Sequence, residues 1–176
     1  TILVDRTNLW KGKPFKSLVS PKNSMKGRNN NGHITSSNRA GGHKKMYRHI
    51  DFYRKKFDMS ATVERIEYDP NRSCYIMLVK FEDGEHAYYL APQKIKVGDK
   101  VENGSKKEIK IGNCMPLQDI PVGINIHNVE IQPGAGGKLA RSAGTSVVIS
   151  GIDGNYSLIK LTSGEVRKID SRSLAT

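Results

Sequence analysis

The sequence predicts an all-β protein: a five-stranded OB-type barrel, then an SH3-like barrel, preceded by a long, extended basic arm. Two observations predict this order. Residues 1–60 hold 14 Lys/Arg against 3 Asp/Glu, whereas the other 116 hold 15 against 14, so +11 of the +12 net charge sits in a leader rich in Gly, Asn and Ser. From Ala61 onward the pattern changes to period two, punctuated by Gly and Pro turns, with no helical periodicity of useful length. The expected units are 1–60 (arm), 61–123 (OB barrel) and 124–176 (SH3-like barrel). The arm has too few aliphatic residues for a core of its own, so it is expected to order on a polyanion, and nucleic acid has the matching charge density.

In the arm, six of the chain's 12 aromatic residues (Trp10, Phe15, Tyr47, Phe52, Tyr53 and Phe57) are spaced among cations. Such rings stack on bases or ribose while Lys and Arg meet phosphates; for Phe52, Tyr53 and Phe57 the alternative is docking onto the body. The densest stretches are Arg28, Asn29, Asn30, Asn31, Gly32 and His33, then Gly41, Gly42, His43, Lys44, Lys45, Tyr47 and Arg48. Glycine lets backbone approach a phosphate, and Asn offers donors and an acceptor to base edges and 2′-hydroxyls. Neither a Walker A loop nor a dinucleotide fingerprint fits the spacing. His33, His43 and His49 lack the Cys or carboxylate company of a metal site. Arg54 completes the cations expected to contact RNA here.

In the body, Thr62–Tyr68 alternates, Asp69-Pro70-Asn71-Arg72 reads as a turn, and Cys74–Phe81 is a strongly apolar strand. His86–Leu90 is its hairpin partner, and Val97–Val101 makes another tight turn. Glu108–Ile111 is expected as a short strand and Leu117–Gly123 as a connection. Ile124–Ile131 opens the second unit; Val147–Ile152, Tyr156–Leu161 and Val166–Ile169 form its meander. Between them, three glycines flank Lys138 and Arg141 in a loop able to lie flat on a sugar–phosphate backbone; Gly137, Lys138, Arg141 and Ser142 are its candidate contacts. Arg72 is a candidate on the same logic. Cys74 and Cys114 match no metal or redox spacing and fit ordinary thiols. No apolar run reaches the ~20 residues of a membrane helix.

Beyond these readings, several motifs resemble the universal large-subunit ribosomal protein L-two family. They include Asp5-Arg6 through Trp10-Lys11-Gly12-Lys13-Pro14, Gly27–Thr35, Gly41–Arg48, Glu67–Ser73, Ile120–Gly123, His127–Glu130 and Gly136–Gly144. The wording is similar to bacterial and organellar members, with a lean toward the mitochondrial matrix and bacterial cytoplasm as the alternative. The resemblance implies a structural constituent of the large ribosomal subunit, not an enzyme. It would bind large-subunit rRNA and neighbouring ribosomal proteins, supporting subunit association and the architecture of the peptidyl-transferase centre. It marks Arg72 and Arg141 as the principal RNA-contacting arginines. No cofactor is implied beyond RNA-associated Mg²⁺, nor any membrane or small-molecule substrate.

Two departures stand out. Ala40 replaces the first of three glycines before His43. The family's C-terminal third is missing after Thr176, so that either a separate polypeptide supplies it or the chain continues. The competing reading is a free-standing single-strand-binding OB module or RNA chaperone. It requires an aromatic-studded strand face, for which Tyr75, Tyr88 and Tyr89 are the candidates.

Overall fold

The computed structural model describes residues 6, 7, 9–22, 25–39 and 42–176. Asp5, Ala40 and Gly41 therefore lie outside the described residues. The architecture is all-β, with an OB-like unit followed by an SH3-like one. The arm contributes β1 (Val19–Lys22) and β2 (Lys45–Arg48), an antiparallel pair with Ser20 opposite Tyr47. The first unit is a four-stranded antiparallel sheet of β3 (Ser60–Glu67), β4 (Ile76–Phe81), β5 (His86–Leu90) and β6 (Lys100–Glu102), in the order β5-β4-β3-β6. Then come β7 (Met115–Pro116), β8 (Asn125–Ile126), β9 (Val129–Glu130) and β10 (Gly137–Leu139), with β11 (Val147–Asp153), β12 (Tyr156–Lys160), β13 (Val166–Asp170) and β14 (Leu174–Ala175) completing the chain. The second unit's main sheet runs β13-β12-β11-β8.

The near-continuous apolar run of β4 has a physical reason: both its faces are buried. Met77, Val79 and Phe81 join Ala61, Val63, Tyr89, Ile95 and Val101 in one core. Ile76 and Leu78 face the other way, with Tyr88 and Leu90, and there Phe15, Leu18, Ile50 and Phe52 of the arm cover them. Burying each aliphatic side chain is worth about 1.5–3 kcal/mol. The arm is thus not coreless at its ends: it completes the outer face of the first sheet. Of the three docking candidates only Phe52 packs there; Tyr53 and Phe57 remain 48% and 51% exposed.

A register shift between Val63 and Arg65 bends β3 and breaks its alternation. Beyond it Glu67 is buried, where the Tyr88 hydroxyl donates to both carboxylate oxygens at 3.0 Å and Arg65 Nε donates at 2.7 Å. The same hydroxyl accepts the Phe15 backbone N–H at 2.9 Å, anchoring the arm.

Three expectations are corrected. Glu108–Ile111 forms no strand: Ile109 and Ile111 are 55% and 51% exposed, and Lys110 pairs with Glu108 at 2.7 Å. The alternation there has no buried face to serve. Met115, Leu117 and Ile120 pack not in the first unit but in the second core, with Ile126, Val129, Val147, Ile149, Ile159 and Ile169. There β7 pairs with β14, and Leu117–Asp119 is a 3₁₀ turn, so the second unit's packing begins before Ile124. Finally, the loop before Arg141 contains a short strand, β10, paired with β9.

Leu117→Ala is expected to lower unfolding free energy by about 2–5 kcal/mol. Ile109→Ala should stay within about 0.5 kcal/mol of the parent. Urea unfolding of both variants checks this; equal costs would contradict the reassigned boundary.

Candidate nucleic-acid interface

Buried carboxylates position the basic loops. Asp69, wholly buried, accepts the Asn71 backbone N–H and Asn71 Nδ2, each at 2.9 Å, and Arg72 Nε at 2.5 Å, which fixes the Asp-Pro-Asn-Arg turn. Glu130, 1% exposed, accepts the N–H groups of Gly136 (2.9 Å), Gly134 (3.1 Å) and Leu174 (3.1 Å), shaping the glycine loop and tying it to β14. Each is a charged acceptor satisfied in a low-dielectric setting, the condition under which buried charge is tolerated. Gly137 is required by space. A Cβ there would stand 2.2 Å from Asn128 Oδ1 and 2.7 Å from the Asn128 carbonyl.

The two loops meet over the arm. Arg72 and Arg141 place their guanidinium carbons 5.9 and 4.7 Å from the centre of the Phe52 ring. Phe52 also accepts the Gly137 N–H on its carbonyl at 2.9 Å, and Ser73 Oγ accepts the Ala143 N–H at 3.2 Å. Arg141 Nη1 donates to the Gly137 carbonyl at 3.4 Å. Arg72 is half-buried, whereas Lys138, Arg141 and Ser142 are exposed, so this corner presents cations on a braced base. Cys74 lies beside it. Burial pushes its thiol up from the ordinary range, opposed by the Arg72 and Arg141 charges.

The hairpin in the arm is clamped to the same turn. Asn71 Nδ2 donates to the Met46 carbonyl at 2.7 Å, and Lys22 Nζ donates to Asn71 Oδ1 at 3.2 Å. Beyond the clamp, Asn29 Oδ1 accepts the N–H groups of Asn31 and His33, each at 3.0 Å, folding a tight turn bridged by Arg28 and Ile34. Gly27, at φ +74°, has its carbonyl accept from Thr35 and Ser36; a Cβ would stand 2.3 Å from the Ser36 carbonyl. The turn leaves Arg28, Asn30, Asn31, Gly32 and His33 exposed, with Asn29 half-buried. Gly42, His43, Lys44 and Lys45 are also exposed, and His43 Nδ1 hydrogen-bonds the Lys44 carbonyl at 2.9 Å. Tyr47 and Arg48 are half-buried.

One predicted contact is corrected. Arg54 is only 3% exposed, and its guanidinium is spent inside the protein. Nη1 donates to Asn103 Oδ1 at 3.1 Å, and Nη2 donates to the Gly112 carbonyl at 3.1 Å and Thr176 Oγ1 at 3.4 Å; the carbon lies 3.6 Å from the Tyr89 ring centre. Its donors join both units rather than facing outward.

Sequence reasoning passed over Phe52 as a meeting point, Ser73 and Asn71 as clamps, and Glu130 as loop organiser. Only Glu130, an acid just before a glycine loop, carried a local signal. Among the described residues, no three His, Cys, Asp or Glu side chains gather as a metal site, and no helix is long and apolar enough to cross a membrane.

Comparison with known proteins places the chain in a family. Residues 15–103 match the model of the ribosomal proteins L2 RNA-binding N-terminal domain, and 110–176 match that of the L2 C-terminal domain. The chain belongs to the ribosomal protein L2 family. It is 84% identical to the large ribosomal subunit protein uL2 of Pelagibacter ubique over all of its own length and 63% of that protein's. Identity is 58% to uL2 of Rickettsia bellii and 57% to that of Granulibacter bethesdensis, over 99% and 100% of this chain and 64% of each relative. The chain thus spans less than two thirds of these relatives. All are bacterial, so the mitochondrial lean finds no support, and neither does a separate polypeptide for the remaining third.

Burial and the nearby Arg54 charge push His127 down to about 4, and its Nε2 is buried without a hydrogen-bond partner. A histidine depressed below its ordinary 6.5 keeps its full contribution above pH 6.5 and loses it as pH falls toward 4. About 3 kcal/mol of stability is therefore expected to disappear across that window. Urea midpoints at pH 7 and 4.5 check it: the parent should fall more steeply than His127→Gln, and parallel falls would contradict the assignment.

Proposed function

We propose that this chain is a structural component of the bacterial large ribosomal subunit. It binds large-subunit rRNA through the corner where Arg72 and Arg141 meet over Phe52, and through the exposed hairpin of the arm. The observation that carries the reading is that convergence: two arginines, 69 positions apart, from different units, braced on one aromatic ring and stitched by the Ser73–Ala143 hydrogen bond. A glycine loop and a proline turn give the sugar–phosphate backbone close approach, and the cations neutralise phosphates, so affinity comes largely from released counterions. Specificity comes from RNA shape and 2′-hydroxyl contacts, since A-form grooves do not admit side-chain readout of sequence in duplex regions. Within the particle the chain touches neighbouring ribosomal proteins and contributes to subunit association and to the architecture around the peptidyl-transferase centre. Its role is architectural rather than catalytic.

The single-strand-binding alternative loses two of its three stacking candidates, and the third, Tyr75, is half-buried. Tyr88 and Tyr89 are 0% and 1% exposed, on opposite faces of the first sheet, with their hydroxyls engaged by Glu67 and Asn103.

Arg141→Ala is expected to weaken binding to transcribed large-subunit rRNA about tenfold and to reduce the slope of log affinity against log salt by about 1. Filter binding across a salt series measures both. An unchanged affinity and slope would remove this corner from the interface.

A further inference from the structure

Beside the arm's entry onto the first sheet lies a second cationic notch, of about 270 Å³, lined by Arg6, Trp10, Lys11, Arg48, Glu67 and Tyr68 among others. Its walls are built. The Trp10 backbone N–H donates to the Ile66 carbonyl at 2.8 Å, and Arg65 lies 5.1 Å from the centre of the indole. Gly12 leaves the space the indole fills: a Cβ there would stand 2.5 Å from Trp10 Nε1 and 2.7 Å from Cε2. Arg6 lies 4.8 Å from the Tyr68 ring centre. Among the described residues, the one carboxylate in the lining, Glu67, is already committed to Arg65 and the Tyr88 hydroxyl. Arg48 is not so answered. Nη1 donates to the Met46 carbonyl at 3.1 Å, and among the described residues its buried Nε has no hydrogen-bond partner. An unsatisfied guanidinium N–H is costly when buried, and a charged acceptor would offset that cost.

We propose that this notch is a seat for one backbone phosphate of rRNA, held by Arg6, Lys11 and Arg48, with the adjoining ribose against the exposed half of Trp10. It rests on the rRNA-binding reading above and adds a contact separate from the Arg72–Arg141 corner. An RNA strand fits the notch better than a free anion. The three cations are spread across a pocket larger than one phosphate, and Trp10, 50% exposed, supplies an apolar flank that inorganic phosphate would not use.

Trp10 is the chain's single tryptophan, so its fluorescence reports this site alone. Titrating the chain with transcribed large-subunit rRNA should change Trp10 emission in step with filter binding. Lys11→Gln, at an exposed position that leaves the fold intact, should weaken binding about threefold; Lys11→Gln with Arg48→Gln should weaken it about tenfold and abolish most of the emission change. Arg141→Ala should weaken binding but keep the full change at saturation. If the parent binds rRNA with Trp10 emission unmoved, the seat is refuted while the rRNA reading stands. If the parent binds no rRNA, both fall. An equal emission change with inorganic phosphate alone would make this a free-anion site and overturn the proposal.

Discussion

Everything in this molecule hangs on one buried cation. Removing a guanidinium from water costs several kcal/mol unless its donors and charge are met, and Arg54 is met by groups from distant parts of the chain. Asn103 and Gly112 come from the loops after β6, Thr176 follows β14, and the Tyr89 ring lies beneath. Asp51 fixes the approach by accepting the N–H groups of Tyr53 and Arg54 at 2.9 and 3.1 Å, with Arg54 itself in the left-handed region at φ +53°. The register of the arm is thereby set against both units at once. Phe52, two residues upstream, has nowhere to sit but under Arg72 and Arg141. The same charge acts on its surroundings, helping to hold His127 neutral and opposing the rise of the buried Cys114 thiol.

A strongly basic chain also has to keep its cations in place before any polyanion arrives. It does so with buried acids as well as surface ion pairs such as Lys107–Asp58 and Arg172–Asp170, the latter contributing little individually. Glu67, Asp69 and Glu130 are each nearly or wholly buried, and each spends its oxygens on donors that define a loop or an anchor. This order is inverted from an enzyme site, where a buried carboxylate is poised to exchange a proton. Here the acids are engaged by several hydrogen bonds each, and what they hold in place are loops and an arm.

The strands were readable where one face is buried and the other wet, as in the 147–170 meander, because period-two alternation reports that asymmetry directly. Alternation misled at Glu108–Ile111, where neither face of the segment is buried. In β3 the bulge after Val63 shifts faces, which no composition rule announces, and so buried Glu67 looked like an ordinary polar strand position. The two key arginines were recognisable as loop residues, yet their meeting over Phe52 is a product of topology. Arg54 was misread because sequence counts charge and cannot see where the charge goes. The apolar run of β4 did carry the missing information: a strand buried on both faces needs a second layer, and in this fold only the arm is left to provide it.

Charge in the arm therefore divides into two populations. Arg54 is internal, and Lys56 is paired with Asp83 and Glu85 on the first unit. Arg28, Lys44 and Lys45 sit exposed beyond the Asn71 clamp, on a hairpin whose turn is held by its own Asn29 and Gly27 bonds. The first population spends electrostatic energy on folding, the second leaves it facing solvent. A leader with the same composition but no internal consumers would be a tether, free to meet RNA at any angle. Because its two ends are fixed by Tyr88 and Arg54, this arm presents its hairpin, the Trp10 notch and the Phe52 corner in a defined spatial relation, and a folded RNA can be recognised by that relation as much as by charge.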